Sequence, residues 1–148
     1  MFVRLSRFTA LLLALVAFFA LPGRAAAQVV PHFSSGVAHF TGPNDFVGEG
    51  HATHLGRYTE VGHVSFKPSG TPGLLTVTGD IVYTAANGDE LHATVFGKLD
   101  PATGAINARL TYVGGTGRFD DATGSSVLVG QLDPSGAISV AVVGTIEY

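Results

Sequence analysis

From Leu75 to Thr84 the chain alternates with a period of two. Leu75, Val77, Gly79, Ile81 and Tyr83 fall on one face, and Thr76, Thr78, Asp80, Val82 and Thr84 on the other. Successive side chains of a strand point to opposite sides, so this pattern predicts a strand with one face on a core. The next loop sets the register. A two-residue Asn87-Gly88 turn would place Tyr83 opposite His92 and turn the apolar set outward. A three-residue Ala86-Asn87-Gly88 loop, with Gly88 left-handed, places Tyr83 opposite Leu91 and Ile81 opposite Ala93. The second arrangement keeps Leu91, Ala93, Val95 and Leu99 inside and is the one expected. A four-residue turn, Pro101-Ala102-Thr103-Gly104, then pairs Leu99 with Ile106 and Val95 with Leu110, and sets Phe96 opposite Arg109 on the outer face.

The last hairpin turns through Pro134-Ser135-Gly136 and is apolar on both faces. Leu128, Leu132, Ile138, Val140, Val142 and Ile146 share one side, and Val127, Val129, Ala141 and Val143 the other. One side is core. The other needs a cover, because soluble monomers seldom expose a contiguous apolar patch of more than a few hundred Å². A neighbouring subunit or the segment around Val29 to Phe33 can supply it.

Between the last two pairs of strands lies Gly114-Gly115-Thr116-Gly117-Arg118-Phe119-Asp120-Asp121-Ala122-Thr123-Gly124. Its glycines permit a sharp corner, Phe119 is a natural apolar plug folded over the core, and Ala122 is small where something packs against it. A phosphate cradle is disfavoured: no Lys-Ser or Lys-Thr follows the last glycine, and the third glycine of a dinucleotide fingerprint is missing. The corner, with Tyr112-Val113 before it and a final hairpin after it, resembles that of plant dirigent proteins and allene oxide cyclases. The resemblance covers Leu74 to Tyr148 and implies an all-β, antiparallel closed barrel of about eight strands, calycin-like in build. It also implies assembly as a trimer. Its cyclase members carry catalytic residues on a proline-bearing N-terminal strand without a clear counterpart here, so no catalytic residue is transferred.

The N-terminal half is less regular. Val37 to Phe40 and Asp45 to Val47 read as short strands, separated by Gly42-Pro43-Asn44 and followed by the Lys67-to-Gly73 loop. Gly48 to Thr59, taken as one extended strand, places His51, Thr53, Leu55 and Arg57 on one face and Ala52, His54, Gly56 and Tyr58 on the other. His51 and His54 then diverge, which argues against a metal site between them. Residues 1–27 read as a signal peptide: Arg4 and Arg7, an apolar stretch from Phe8 to Leu21, and a small-residue cleavage site, Ala25-Ala26-Ala27, before Gln28. The apolar stretch, about 14 residues, is shorter than the roughly 18 of a membrane span. The chain has no cysteine, so neither disulfides nor a thioether lipid anchor is expected.

Cleavage changes the charge. Arg4, Arg7 and Arg24 leave, and five basic residues face eleven acidic ones, a formal charge of −6 on residues 28–148. That span suits a single domain, secreted or periplasmic, without the basic stripe that nucleic acid requires. No cofactor is expected. Three functions fit: a barrel binding a small apolar ligand, a cofactor-independent isomerase or cyclase, and a structural envelope protein. The inward polar candidates for a site are Tyr83 and Tyr112, joined by His54, Tyr58 and Glu49 from the less regular half. No nucleophile and base pair is evident, which disfavours hydrolysis.

Overall fold

A computed structural model describes residues 27–148, so the signal-peptide expectation lies outside the described residues save for Ala27. Eight strands run in chain order: β1 (Val29–Phe40), β2 (Asp45–Ala52), β3 (Gly56–Pro68), β4 (Leu75–Ala85), β5 (Glu90–Leu99), β6 (Ala105–Gly115), β7 (Thr123–Leu132) and β8 (Ala137–Glu147). Each pairs antiparallel with the next, and β8 pairs with β1 to close the barrel. Closure leaves no free sheet edge, which suits a chain whose strands would otherwise expose unpaired backbone groups. Among the described residues no helix is long and apolar enough to cross a membrane.

The C-terminal registers follow the alternation. Tyr83 pairs with Leu91 and Ile81 with Ala93; Leu99 pairs with Ile106, Val95 with Leu110 and Phe96 with Arg109. Gly88, at φ 89°, supplies the left-handed residue of the three-residue loop. Between Leu91 and Ala93 the β5–β6 ladder is irregular, with Gly115 and Tyr112 as the β6 partners, so the chain bulges as it enters the glycine-rich corner. There a single 3₁₀ turn, Gly117–Phe119, carries Phe119 into the barrel end, where it and Ala122 are wholly buried. The Arg118 guanidinium lies 4.8 Å from the Phe119 ring centre, and Tyr148 packs on the ring from 5.1 Å. One end is thereby closed. It gathers the start of β1, the turns after β2 and β4, the Phe119 corner and Tyr148. The other end is a mouth formed by the loops at residues 41–44, 69–74, 100–104 and 133–136.

The N-terminal half departs from the expected layout. The short runs Val37 to Phe40 and Asp45 to Val47 are parts of longer strands whose inward positions include His32, Ser34, Gly36, Gly48 and Gly50, so hydrophobic periodicity under-reports them. Gly48 to Thr59 is a hairpin rather than one strand. The chain turns after Ala52, Gly56 adopts φ 67°, and Leu55 folds inward to 4% exposure. Val29 to Phe33 belongs to the barrel wall, with Val30 paired to Ile146 and Phe33 to Val143. It lies beside β8 and does not cover its outer face.

Candidate ligand-binding site

Strand β3 brings the site together. Tyr58, Glu60, Gly62, Val64 and Phe66 share its inward face, and a carboxylate among them is unusual, since Glu is almost never buried without a partner. Glu60 is 5% exposed. Its cross-strand neighbours are Gly48 on β2 and Tyr83 on β4. A Cβ at Gly48 would come within 2.6 Å of Glu60 Oε1, and one at Gly36 within 2.7 Å of the Tyr58 hydroxyl. Glycines on β1 and β2 therefore make room for polar side chains reaching across from β3. Beyond Glu60 the same device recurs, with the Phe46 ring lying across Gly62.

The mouth half of the barrel encloses a cavity of about 80 Å³ above this floor. Its walls are aliphatic, including Val77, Val95, Ala108 and Leu128, and Phe40, Phe46 and Phe66 gather near the mouth. Phe40 stands 6.2 Å from Phe46 and 6.0 Å from Phe66 between ring centres. Phe40, Phe66, Ile106 and Leu132 are only partly buried, which gives the cavity access to solvent. Glu60, Tyr58 and Tyr83 are the titratable side chains that line it. Burial pushes the Glu60 carboxyl from 4.5 to about 7. Burial likewise raises the Tyr58 hydroxyl to about 12, with the Glu60 and Tyr112 charges adding and a hydrogen bond to Ser34 opposing. Tyr83 is driven well above its ordinary value by burial first and by the Glu60 charge second. The tyrosines stay protonated donors near neutrality, while the carboxyl exchanges a proton there. Their rings meet edge to face at 5.3 Å.

Below this floor a second void of only about 10 Å³ lies among His32, Ser34, Tyr58, Tyr83 and Tyr112. Tyr112 bonds Ser126 through the two hydroxyls at 2.8 Å, and burial raises its pKa against that bond. His32 is 3% exposed and stacks on His54 at 6.0 Å, with Tyr112 edge-on at 5.4 Å. Its Nδ1 is buried without a hydrogen-bond partner. Burial first, and the neighbouring His54 second, lower its pKa from 6.5 to about 4. His54 Nε2 lies 2.7 Å from the Pro31 carbonyl, which requires that nitrogen to donate, and its Nδ1 then accepts from the Tyr148 hydroxyl at 2.9 Å.

The structure thus divides the five residues expected at a site. Tyr58 and Tyr83 lie on the cavity floor. Tyr112 and His54 lie toward the closed end, in a hydrogen-bonded layer outside the cavity. Glu49 is exposed on the outer side of β2, near His51 and Arg57. The buried acid is Glu60, which sequence reasoning missed, together with His32 and the three phenylalanines. A signal for Glu60 was present: it shares parity with Tyr58, Val64 and Phe66. Among the described residues no group of three or more His, Asp or Glu side chains is placed to hold a metal ion. Neither a protein-family model nor a curated protein matches the chain.

Proposed function

We propose that this barrel binds a small, mainly apolar ligand in its mouth-side cavity, anchored at the inner end by Glu60 with Tyr58 and Tyr83. One observation carries the reading: an apolar cavity of about 80 Å³, opening at the mouth, has a buried carboxyl on its floor. Concave, mostly apolar sites with a few convergent polar groups are the usual form of small-molecule sites. The tripartite N-terminus supports export, so the ligand would be met outside the cytoplasm. The corner's resemblance to dirigent proteins and allene oxide cyclases supports a trimer of such barrels.

A cofactor-independent isomerase or cyclase is the second reading, favoured by a Glu60 carboxyl that exchanges its proton near neutrality at the floor of an apolar cavity. Native mass spectrometry of protein from its own source, with extraction of any bound compound, tests both readings. A co-purifying apolar molecule is expected. Ala108→Phe, which places a ring in the cavity, should abolish its retention while leaving far-ultraviolet circular dichroism unchanged. Retention by a folded Ala108→Phe protein would place the ligand elsewhere. Turnover of the extracted compound at saturating concentration, lost in Glu60→Gln, would mark the enzyme.

A further inference from the structure

The charge balance of the cavity bears on which ligands it favours. Glu60 is 5% exposed and faces Gly48 on β2 and Tyr83 on β4, with Tyr58 preceding it on the same inward face. Among the described residues no Lys, Arg or His side chain lines the cavity, so the carboxylate has no counter-charge in the wall. An ionised group held in an apolar site without a partner is costly, and a cation entering beside it relieves that cost. A second observation points the same way. The rings of Tyr58, Tyr83, Phe40, Phe46 and Phe66 line the same space, and ring faces attract ammonium groups most strongly where water is excluded.

We propose that the ligand is a small organic cation, an ammonium group on an apolar body, with its charge paired to Glu60 and its body directed toward the phenylalanines at the mouth. The inference rests on the cavity being a binding site, as argued above. An anionic ligand placing its charge at the floor would meet Glu60 with no cation to offset it. A neutral alcohol or carbonyl compound could hydrogen-bond to the floor but would bring no charge to pair with Glu60. The eleven acidic against five basic residues of 28–148 add an overall field that draws cations in. Burial holds the Glu60 proton up to about pH 7, so below that pH the ammonium group displaces a proton to solvent on binding. Tyr58 and Tyr83 are the other titratable groups facing Glu60 and stay protonated through this range.

The test compares n-hexylamine, 1-hexanol and hexanoate, matched in chain length, by isothermal titration calorimetry on the protein of residues 28–148 at pH 6 and pH 8. Hexylamine is expected to bind at pH 8 at least about tenfold more tightly than hexanol, and hexanoate more weakly than either. Its affinity should fall severalfold at pH 6, while that of hexanol stays unchanged. In Glu60→Gln the amine should lose its advantage and the alcohol keep its affinity; the pH comparison on the unmodified protein decides the same point without relying on that variant folding. Hexanol equal to or tighter than hexylamine at pH 8 would overturn the cation and leave the apolar cavity site standing. Binding of none of the three, or binding that Ala108→Phe leaves intact, would overturn the cavity reading itself.

Discussion

Glu60 and His32 are both buried in the barrel, and burial moves their proton affinities in opposite directions with opposite consequences for stability. His32 titrates at 6.5 when unfolded and at about 4 when folded, so between those values the unfolded chain binds the extra proton and stability is lost as pH falls. Glu60 titrates at 4.5 unfolded and at about 7 folded, so the folded chain holds the extra proton and stability is lost as pH rises through 7. Each span corresponds to about 3 kcal/mol at full effect. From pH 4.5 to 6.5 the two slopes oppose each other, and urea denaturation of the unmodified protein should show a nearly flat stability there. Glu60→Gln should remove the loss between pH 4.5 and 7 and leave a protein that gains stability steadily up to pH 6.5. His32→Phe should do the reverse, losing stability from pH 4.5 to 7. A Glu60→Gln protein with an unchanged pH profile would mean that the carboxyl is solvated and not held in an apolar floor.

At the scale of elements, the inner face of β2 explains both the site and the difficulty of reading it. Gly48 and Gly50 occupy inward positions that a strand ordinarily fills with Val or Ile, because Glu60 and Tyr58 already lie over them. A Cβ at Gly50 would clash with the Ser35 carbonyl oxygen of β1 and approach the Tyr58 ring carbon bearing the hydroxyl to 2.7 Å. Gly50→Val should therefore cost about 1–3 kcal/mol through overpacking and should disturb the cavity floor. Gly70→Ala, with nothing within 4 Å of the added carbon, serves as the neutral control. Equal stability of the two variants would mean that Tyr58 does not cross the glycine pair. The same chemistry decided what was legible. From β4 onward Leu, Val, Ile, Ala and Tyr outnumber the small residues on the inward faces, such as Gly79, Gly97 and Ser126, so alternation and turn length defined strands, registers and the Phe119 plug. In β1 and β2 the inward faces are interrupted by His32, Ser34, Gly36, Gly48 and Gly50, and a hydrophobic period of two has little to register. Reading Gly48 to Thr59 as one strand followed from that loss, since the left-handed Gly56 lies inside an otherwise acceptable extended run.

For the whole molecule the outer wall carries the remaining unexplained feature. Phe33, Val143 and Val127 lie in one cross-strand row over β1, β8 and β7, and Ser35, Ala141 and Val129 in the next. Phe33 is 49% exposed, Val127 and Val143 54% each, and Val129 49%. The N-terminal strand, the other candidate cover for this face, is part of the wall beside it, so among the described residues the face has no cover. A second and third copy of the barrel would bury these rows without disturbing the cavity, whose lining points the other way. Light scattering on the protein of residues 28–148 is expected to give three times the chain mass. The double variant Val129→Asp with Val143→Asp should run as a monomer with unchanged far-ultraviolet circular dichroism, because an unpaired charge buried in an apolar contact costs about 3–5 kcal/mol. Ligand retention should survive in that monomer, since neither position lines the cavity. An unmodified protein that stays monomeric at high concentration would end the trimer proposal, and a trimer indifferent to both aspartates would move the contact to another face of the barrel.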